Sequence, residues 1–158
     1  LQLSVYHTWR IEDTILIRDG VPKLDLLDGS AVGGRGGQPR HEVQVRAGLF
    51  KDGYGARLSA NWQDATFVRG AGGGGNDLFF DDFTTVDLRL FADLGQQRSL
   101  VRDHPFFASS RITLRIDNLF DSRLRVTDAA GVTPIGYQRA LLDPLGRTVG
   151  IGFRKLFF

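Results

Sequence analysis

Among the 158 residues of the chain there is no cysteine and no methionine. Missing cysteine excludes a disulfide framework, a thiolate metal site and a cysteine nucleophile. Long apolar runs are also missing, since the longest are only a few residues, as at Ala140, Leu141 and Leu142, and a membrane-spanning helix needs about 20. If the chain crosses a membrane, it must therefore cross it as β-strands.

A concentrated charge of one sign is lacking as well. Lys and Arg number 20 against 18 Asp and Glu, a formal net charge of +2, and the basic residues are spread along the chain. A nucleic-acid-binding surface usually shows as a clustered basic patch. We therefore expect no nucleic-acid partner.

Candidate chemical sites are few and have ordinary interpretations. The histidines His7, His41 and His104 lack paired metal-ligand spacing. The acidic residues at 77, 81 and 82 lack the regular spacing of a calcium loop. Residues 103–110 contain serine, histidine and aspartate, but a catalytic triad is recognised by geometry rather than by nearness in sequence. We expect no enzymatic activity, no bound metal and no cofactor.

Period-two alternation of apolar and polar residues recurs in six segments, and it is the main sequence signal for strands with two different faces. The clearest segments are 86–94 and 111–117, where apolar residues occupy every second position, one parity of the strand, and mostly charged residues occupy the positions between them. The other segments are residues 2–11, 42–49, 56–63 and 148–154. The pattern predicts an all-β fold, a single antiparallel up-and-down meander of about six strands in sequence order.

The connections between these segments alternate in length. Residues 19–40, 69–82 and 122–146 are long, and the first two are rich in glycine, whereas residues 51–54 form a hairpin turn. Short turns alternating with long external loops, and strands of about nine to eleven residues, are typical of outer-membrane barrels. The connection at 96–109 does not fit, because it is longer than a turn.

If the sheet is part of a transmembrane barrel, one parity meets lipid and the other lines the lumen. The predicted lipid-facing residues are Val86, Leu88, Leu90, Ile112, Leu114, Ile116, Val149 and Ile151. The predicted lumen-facing polar residues are Arg46, Arg57, Asp87, Arg89, Asp93, Arg115, Asp117 and Arg154. We interpret this polar set as a cross-strand ion-pair ladder, and the alternative is a polar path for a solute. Trp9 and Trp62, on the apolar parity, are interpreted as girdle residues.

Two motifs stand at the end of the chain. An Asn-Leu-Phe-Asp sequence at residues 118–121 follows the fifth predicted strand, and a Gly-Arg pair at 146–147 begins the sixth, which ends on aromatic residues. Together they resemble the terminal strands of TonB-dependent outer-membrane receptors. In that family the aromatic end is read by the barrel-assembly machinery, which implies an assembly signal among Phe153, Phe157 and Phe158.

The resemblance carries further expectations. Receptors of this kind have about 22 strands around a plugged lumen, so residues 1–158 would be the carboxyl-terminal portion of such a barrel, without the plug domain. It implies a place in the cell outer membrane and TonB-energised uptake of a scarce solute, such as an iron chelate, a corrinoid or an oligosaccharide. The implied partners are outer-membrane lipid, the assembly machinery, a small-molecule ligand of unknown identity, and TonB through parts of the protein outside this chain.

Two other classes remain open at the level of sequence. One is a complete small outer-membrane barrel, which needs at least eight strands. The other is a soluble β-sandwich or lipocalin-like binding module, in which the apolar parity would form a core.

Overall fold

The computed structural model describes residues 1–30, 36–70 and 76–157, and these residues are mostly β-strand. The strands are β1 Gln2–Trp9, β2 Thr14–Ile15, β3 Leu24–Asp25, β4 His41–Lys51, β5 Tyr54–Gln63, β6 Thr66–Val68, β7 Leu78–Phe80, β8 Phe83–Asp93, β9 Ser110–Asp117, β10 Val126–Asp128 and β11 Thr148–Lys155. The helices are α1 Arg98–Asp103 and α2 Arg139–Leu142, with 3-10 turns at Leu94–Gln96, Pro105–Phe107 and Ile135–Tyr137. No helix in the described ranges is long and apolar enough to span a membrane.

Six strands form the main sheet in the order β1-β4-β5-β8-β9-β11, each antiparallel to its neighbour. This order follows the chain and confirms the predicted meander. The outermost strands β1 and β11 do not pair with each other in the described part of the chain. The predicted strand length was wrong for β1, β9 and β11, which have eight residues each. In β9 the cause is local, because Ser109 and Asn118 on either side take positive φ angles of 55° and 53°, which end extended backbone.

Residues paired directly across antiparallel strands share a face of the sheet. Leu88 pairs with Leu58 and Ile116, and Ile116 pairs with Val149. By this register all eight residues predicted to face lipid lie on one side of the sheet, called here the apolar face. All eight polar residues predicted to face a lumen lie on the other side, the polar face. What each face meets stays a prediction.

The apolar face is largely exposed in the part of the chain that the structure describes. Val5 is 61% exposed and Ile151 is 77% exposed. Phe106, from the connection between β8 and β9, stacks on Phe153 at one end of the face, with ring centroids 6.2 Å apart. Among the described residues the buried apolar side chains are Phe80 and Val126, and both lie outside the main sheet. No hydrophobic core therefore underlies the main sheet in the described structure.

The end of the sheet near the β4–β5 hairpin is the short-turn end. Asp52 and Gly53 both have positive φ, the backbone that a two-residue hairpin loop requires. The neighbouring connection at residues 94–109 folds into α1 and two 3-10 turns, and the Gln97 side chain donates to the Asp52 carbonyl at 2.8 Å. The connection at residues 94–109, which is longer than the predicted alternation of short turns and long loops allows, is thus a folded segment beside the hairpin.

The three long connections meet at the opposite end of the sheet. Strands β6, β7 and β10 form a small antiparallel sheet in the order β10-β7-β6. Its centre is Phe80, 3% exposed, which pairs with Val126 and packs edge-on against Tyr137 with centroids 5.6 Å apart. Gly36, from the first connection, lies against the Phe80 ring. We call this assembly the loop cap. The glycine-rich residues 31–35 and 71–75 predicted as loops lie outside the described residues, as does Phe158.

Candidate functional site

Three arginines on the polar face stand opposite one another. Arg57 of β5 pairs with Arg89 of β8, and Arg89 pairs with Arg115 of β9. We call these residues the arginine row. Side chains directly opposite in a sheet have Cβ atoms about 5 Å apart, and like charges at that spacing are destabilising. The interpretation of the polar face as an ion-pair ladder is therefore wrong for this row, because the register sets arginine against arginine.

The acidic side chains near the row are already engaged. Asp117 accepts a hydrogen bond from Arg115 at 2.7 Å along the same strand. Asp87 accepts the backbone N–H of Asn118 at 2.9 Å. In the described part of the chain no carboxylate lies within salt-bridge distance of Arg57 or Arg89. Within the described ranges, two guanidinium groups of the row therefore have no acidic partner.

The row borders a pocket of about 410 Å³ on the polar face. Four arginines and two aspartates are among its lining residues, so the pocket has two positive charges in excess. Gly48 pairs with Arg57, and Gly150 pairs with Arg115. Nothing lies within 4 Å of the position that a side chain at 150 would occupy. Open space therefore lies at that end of the row.

Nearer the short-turn end the polar face becomes aromatic. Phe50 and Phe91 stack with centroids 6.0 Å apart, and the guanidinium groups of Arg57 and Arg111 lie 5.8 Å and 5.3 Å from the Phe91 ring. Arg111 also forms a cross-strand ion pair with Asp93 at 3.1 Å. Arg111 was not among the predicted lumen-facing residues, although its position in the alternating pattern of β9 places it on the polar face.

Arg154 and Arg46 complete the predicted lumen-facing set. Arg154 pairs with Arg111 on the polar face, so another arginine stands opposite an arginine. The guanidinium carbon of Arg46 lies 5.9 Å from the centre of the Tyr6 ring. A cation above an aromatic face at this distance is attracted by the electrons of the ring.

The two sequence motifs meet in the structure at the loop end of β9 and β11. Asp121 accepts the backbone N–H of Arg147 at 3.0 Å, and the Arg147 side chain donates to the Leu119 carbonyl at 3.3 Å. Gly146 has a positive φ of 58°, and a side chain there would overlap the Arg123 guanidinium. We call this contact the loop-end joint. It closes the connection 118–147 at its base.

The joint also contains charges that hold Asp121 ionised. The backbone N–H of Arg147 is the largest cause lowering the pKa of Asp121 below its ordinary value, and the cations of Arg123 and Arg139 lower it further. The guanidinium groups of Arg123 and Arg139 lie 3.1 Å and 3.6 Å from the carboxylate. Asn118 braces the turn, since its side-chain amide exchanges two 2.8 Å hydrogen bonds with the backbone of Ser122.

Aromatic side chains mark both ends of the apolar face. At the loop end, Trp9 stacks on His41, whose ring stacks on His7, and Trp62 donates its indole N–H to Asp82 at 3.2 Å. At the short-turn end lie Tyr54 and the stacked pair of Phe106 and Phe153. Of the aromatic residues predicted as an assembly signal, Phe153 is 51% exposed and Phe157 is 83% exposed.

The remaining candidate groups do not converge. Ser110 is buried and its hydroxyl donates to the carbonyl oxygens of Phe106 and Ala108, while Asp103 pairs with Arg102 at 3.1 Å. Asp77 accepts the backbone N–H of residue 70 at 2.8 Å, whereas Asp82 accepts the indole N–H of Trp62. Within residues 1–30, 36–70 and 76–157, no group of three or more histidine, aspartate or glutamate side chains could hold a metal ion.

No family model matches the chain, and neither a curated protein nor a solved structure matches it.

Proposed function

We propose that this chain is the carboxyl-terminal portion of the β-barrel of a TonB-dependent receptor in the cell outer membrane. Its function there is TonB-energised uptake of a scarce solute, such as an iron chelate, a corrinoid or an oligosaccharide. The observation that carries the proposal is the main sheet itself. Six antiparallel strands in chain order have one charged face and one apolar face, and the described residues leave the apolar face largely exposed.

Water is a poor environment for the apolar face. Leu3, Val149 and Ile151 are each more than 60% exposed, and fully burying one large aliphatic side chain is worth about 1.5–3 kcal/mol. Lipid would supply that burial along the entire face. A soluble β-sandwich or lipocalin-like module would require a second layer of protein here, whereas among the described residues Val5, Val149 and Ile151 of this face are more than 60% exposed.

The sheet edges call for further strands. In lipid each unsatisfied backbone group costs several kcal/mol, and the outer edges of β1 and β11 are unpaired in the described residues. A barrel containing this sheet must therefore pair both edges with strands outside the chain. Six strands are fewer than the eight of the smallest barrels, which disfavours a complete small barrel and agrees with the roughly 22 strands of the receptor family.

The aromatic ends of the apolar face have a spacing that suits a membrane. Trp62 and Tyr54 are eight residues apart on β5, about 27 Å along an antiparallel strand. With a strand tilt of about 40° this distance becomes about 20 Å across the bilayer, close to the apolar band of about 25 Å between aromatic girdles in outer-membrane barrels. Trp9 and Trp62 would lie in the girdle at the loop end.

The receptor family is supported by the loop-end joint and by the loop cap. The Asn-Leu-Phe-Asp and Gly-Arg motifs are in contact, with Asp121 bonded to the backbone of Arg147. The long connections all emerge at one end and pack together around Phe80. In the proposed orientation this end faces outward and contributes to the mouth for the ligand, while the polar face contacts the plug. TonB would act through parts of the protein outside the chain.

A paired labelling experiment tests the membrane placement. The chain has no cysteine, so Leu88→Cys and its control Arg89→Cys each introduce one thiol into it for a fluorophore, and any cysteine in the rest of the full-length protein is first replaced by serine. These neighbours lie on opposite faces of β8. We expect nitroxide lipids to quench the label at 88 and a water-soluble quencher to reach the label at 89. Equal quenching by lipid at both positions, or at neither, would contradict the proposal.

Uptake is tested separately in the producing cells. Strains with and without the gene are grown with a limiting supply of an iron chelate, a corrinoid or an oligosaccharide. We expect one of these supplies to support growth only when both the gene and TonB are present. Growth that depends on the gene but not on TonB would contradict energised uptake and leave a passive barrel.

A further inference from the structure

Two of the three residues of the arginine row have no acidic partner among the described residues. Arg57, Arg89 and Arg115 stand on three neighbouring strands, which places their backbones within about 10 Å of one another. In the described residues Arg57 and Arg89 have no carboxylate within salt-bridge distance, and Arg115 is paired with Asp117. If the polar face is enclosed within a barrel, unneutralised guanidinium groups at this spacing repel one another more strongly than in open water.

We infer that the arginine row is a binding site for a carboxylate or phosphate group. Guanidinium groups present pairs of N–H donors in a plane, which match the two oxygens of these anions. The residues lining the adjoining pocket of about 410 Å³ carry an excess of two positive charges, and among the described residues Gly150, which pairs with Arg115, leaves open space at one end of the row. An anion bound here offsets the repulsion that the register creates.

The anion has two possible sources with the same chemistry. It is either a free anionic solute that enters the lumen, or a carboxylate from another part of the same protein that lies against the polar face. This inference deepens the proposed function and rests on it in one respect, namely that the polar face is enclosed. The charge pattern itself is independent of the membrane.

The test compares the purified full-length wild-type protein in detergent with its Arg89→Gln variant and with the conservative Arg89→Lys variant. Inorganic phosphate and citrate are titrated against chloride at equal ionic strength, and binding is measured by calorimetry. The midpoint of heat-modifiable gel migration reports stability without added anion. Arg98→Gln, on α1 at the short-turn end and outside the row, is the matched control. If Arg89→Gln does not fold, Arg57→Gln replaces it.

A free anion is indicated if phosphate or citrate binds the wild type and Arg89→Gln weakens this binding by about tenfold or more, while Arg98→Gln does not. A carboxylate of the protein is indicated if neither anion binds, yet Arg89→Gln lowers the melting midpoint and Arg89→Lys largely restores it.

Three results overturn the inference. In the first, phosphate or citrate binds and Arg89→Gln leaves this binding unchanged. In the second and third neither anion binds, and either Arg89→Gln leaves the melting midpoint unchanged or raises it, or Arg89→Gln and Arg89→Lys lower the midpoint equally. Failure of the proposed function would look different, since the protein would then show no heat-modifiable barrel and no quenching of the label at 88 by lipid.

Discussion

The main sheet and the loop cap differ in how far their apolar side chains are exposed to solvent. In the main sheet, aliphatic residues such as Val5 and Ile151 remain more than half exposed, whereas in the cap Phe80 and Val126 are almost fully buried. The cap therefore has a small core of its own, made from connections that are far apart in sequence. The sheet has a well-defined register but no core in the described structure, so its apolar face requires a partner, which we propose is lipid.

The largest expected effect concerns the aromatic end that follows β11. Deleting Phe157 and Phe158 from the full-length protein should remove most of the folded, heat-modifiable barrel while synthesis and export continue. The reason is that a sheet without its own core depends on assisted insertion, and the aromatic end is the proposed assembly signal. Replacing Phe157 with Tyr, which keeps an aromatic ring, is the control. An unchanged folded yield after the deletion would count against the signal and weaken the family assignment.

The next effect concerns the cap. Phe80→Ala should cost about 3–5 kcal/mol of local stability, the usual range for removing a buried phenylalanine. Backbone amides of the cap, such as that of Asp81 bonded to the Arg125 carbonyl, should then exchange with solvent about two to four orders of magnitude faster. Amides of the main sheet should be unaffected.

Phe79→Ala is the matched control for the cap, because this neighbour on β7 is 43% exposed. Faster exchange throughout the main sheet in Phe80→Ala would show that the two regions are not independent.

A smaller effect is expected from a charge on the apolar face. Leu88 lies midway between the aromatic ends, and Leu88→Arg should destabilise the barrel by about 2–4 kcal/mol, the cost of arginine at the centre of the lipid-facing surface. Thr85→Arg, on the polar face of the same strand, should cost far less. Urea unfolding in lipid vesicles measures both, and similar losses would mean that the two faces do not meet different media.

The smallest effect is the pH dependence of the loop-end joint. The pKa of Asp121 is lowered in the folded protein, first by the backbone N–H of Arg147 and then by Arg123 and Arg139. The joint should therefore be fully stabilised above the ordinary carboxyl pKa of about 4 and lose this stabilisation as the pH falls through the lowered value of the folded state.

Hydrogen exchange at the Arg147 amide, corrected for intrinsic rate, reports this change. Asp121→Asn should remove the pH dependence and expose the amide at neutral pH, while Asp103→Asn, in an exposed ion pair at the opposite end, should leave it intact. A wild-type amide equally protected on both sides of the transition would show that the ionised carboxylate does not hold the joint.

The sequence predicted the elements that depend on the residue pattern within one segment of the chain. Alternation along a single strand identified all six strands of the main sheet and the face on which each residue lies, because successive side chains point to opposite sides of a strand. Their order was predicted from connections short enough to join neighbouring strands. It missed β6, β7 and β10, which have three residues each. Such segments are too short to show a period. β6 and β7 belong to one connection and pair with each other, and β10 joins them from another connection, where Val126 pairs with Phe80.

The sequence by itself determined that an apolar and a polar face exist and that Arg57, Arg89 and Arg115 share the polar one. Only the tertiary structure decided that these arginines stand opposite one another and that Asp121 holds the backbone of Arg147. The physical reason is that a shift of one strand by two residues keeps every side chain on its face and changes every neighbour across the sheet. Parity is a property of one strand, whereas register and loop contacts depend on the partners that the fold brings together.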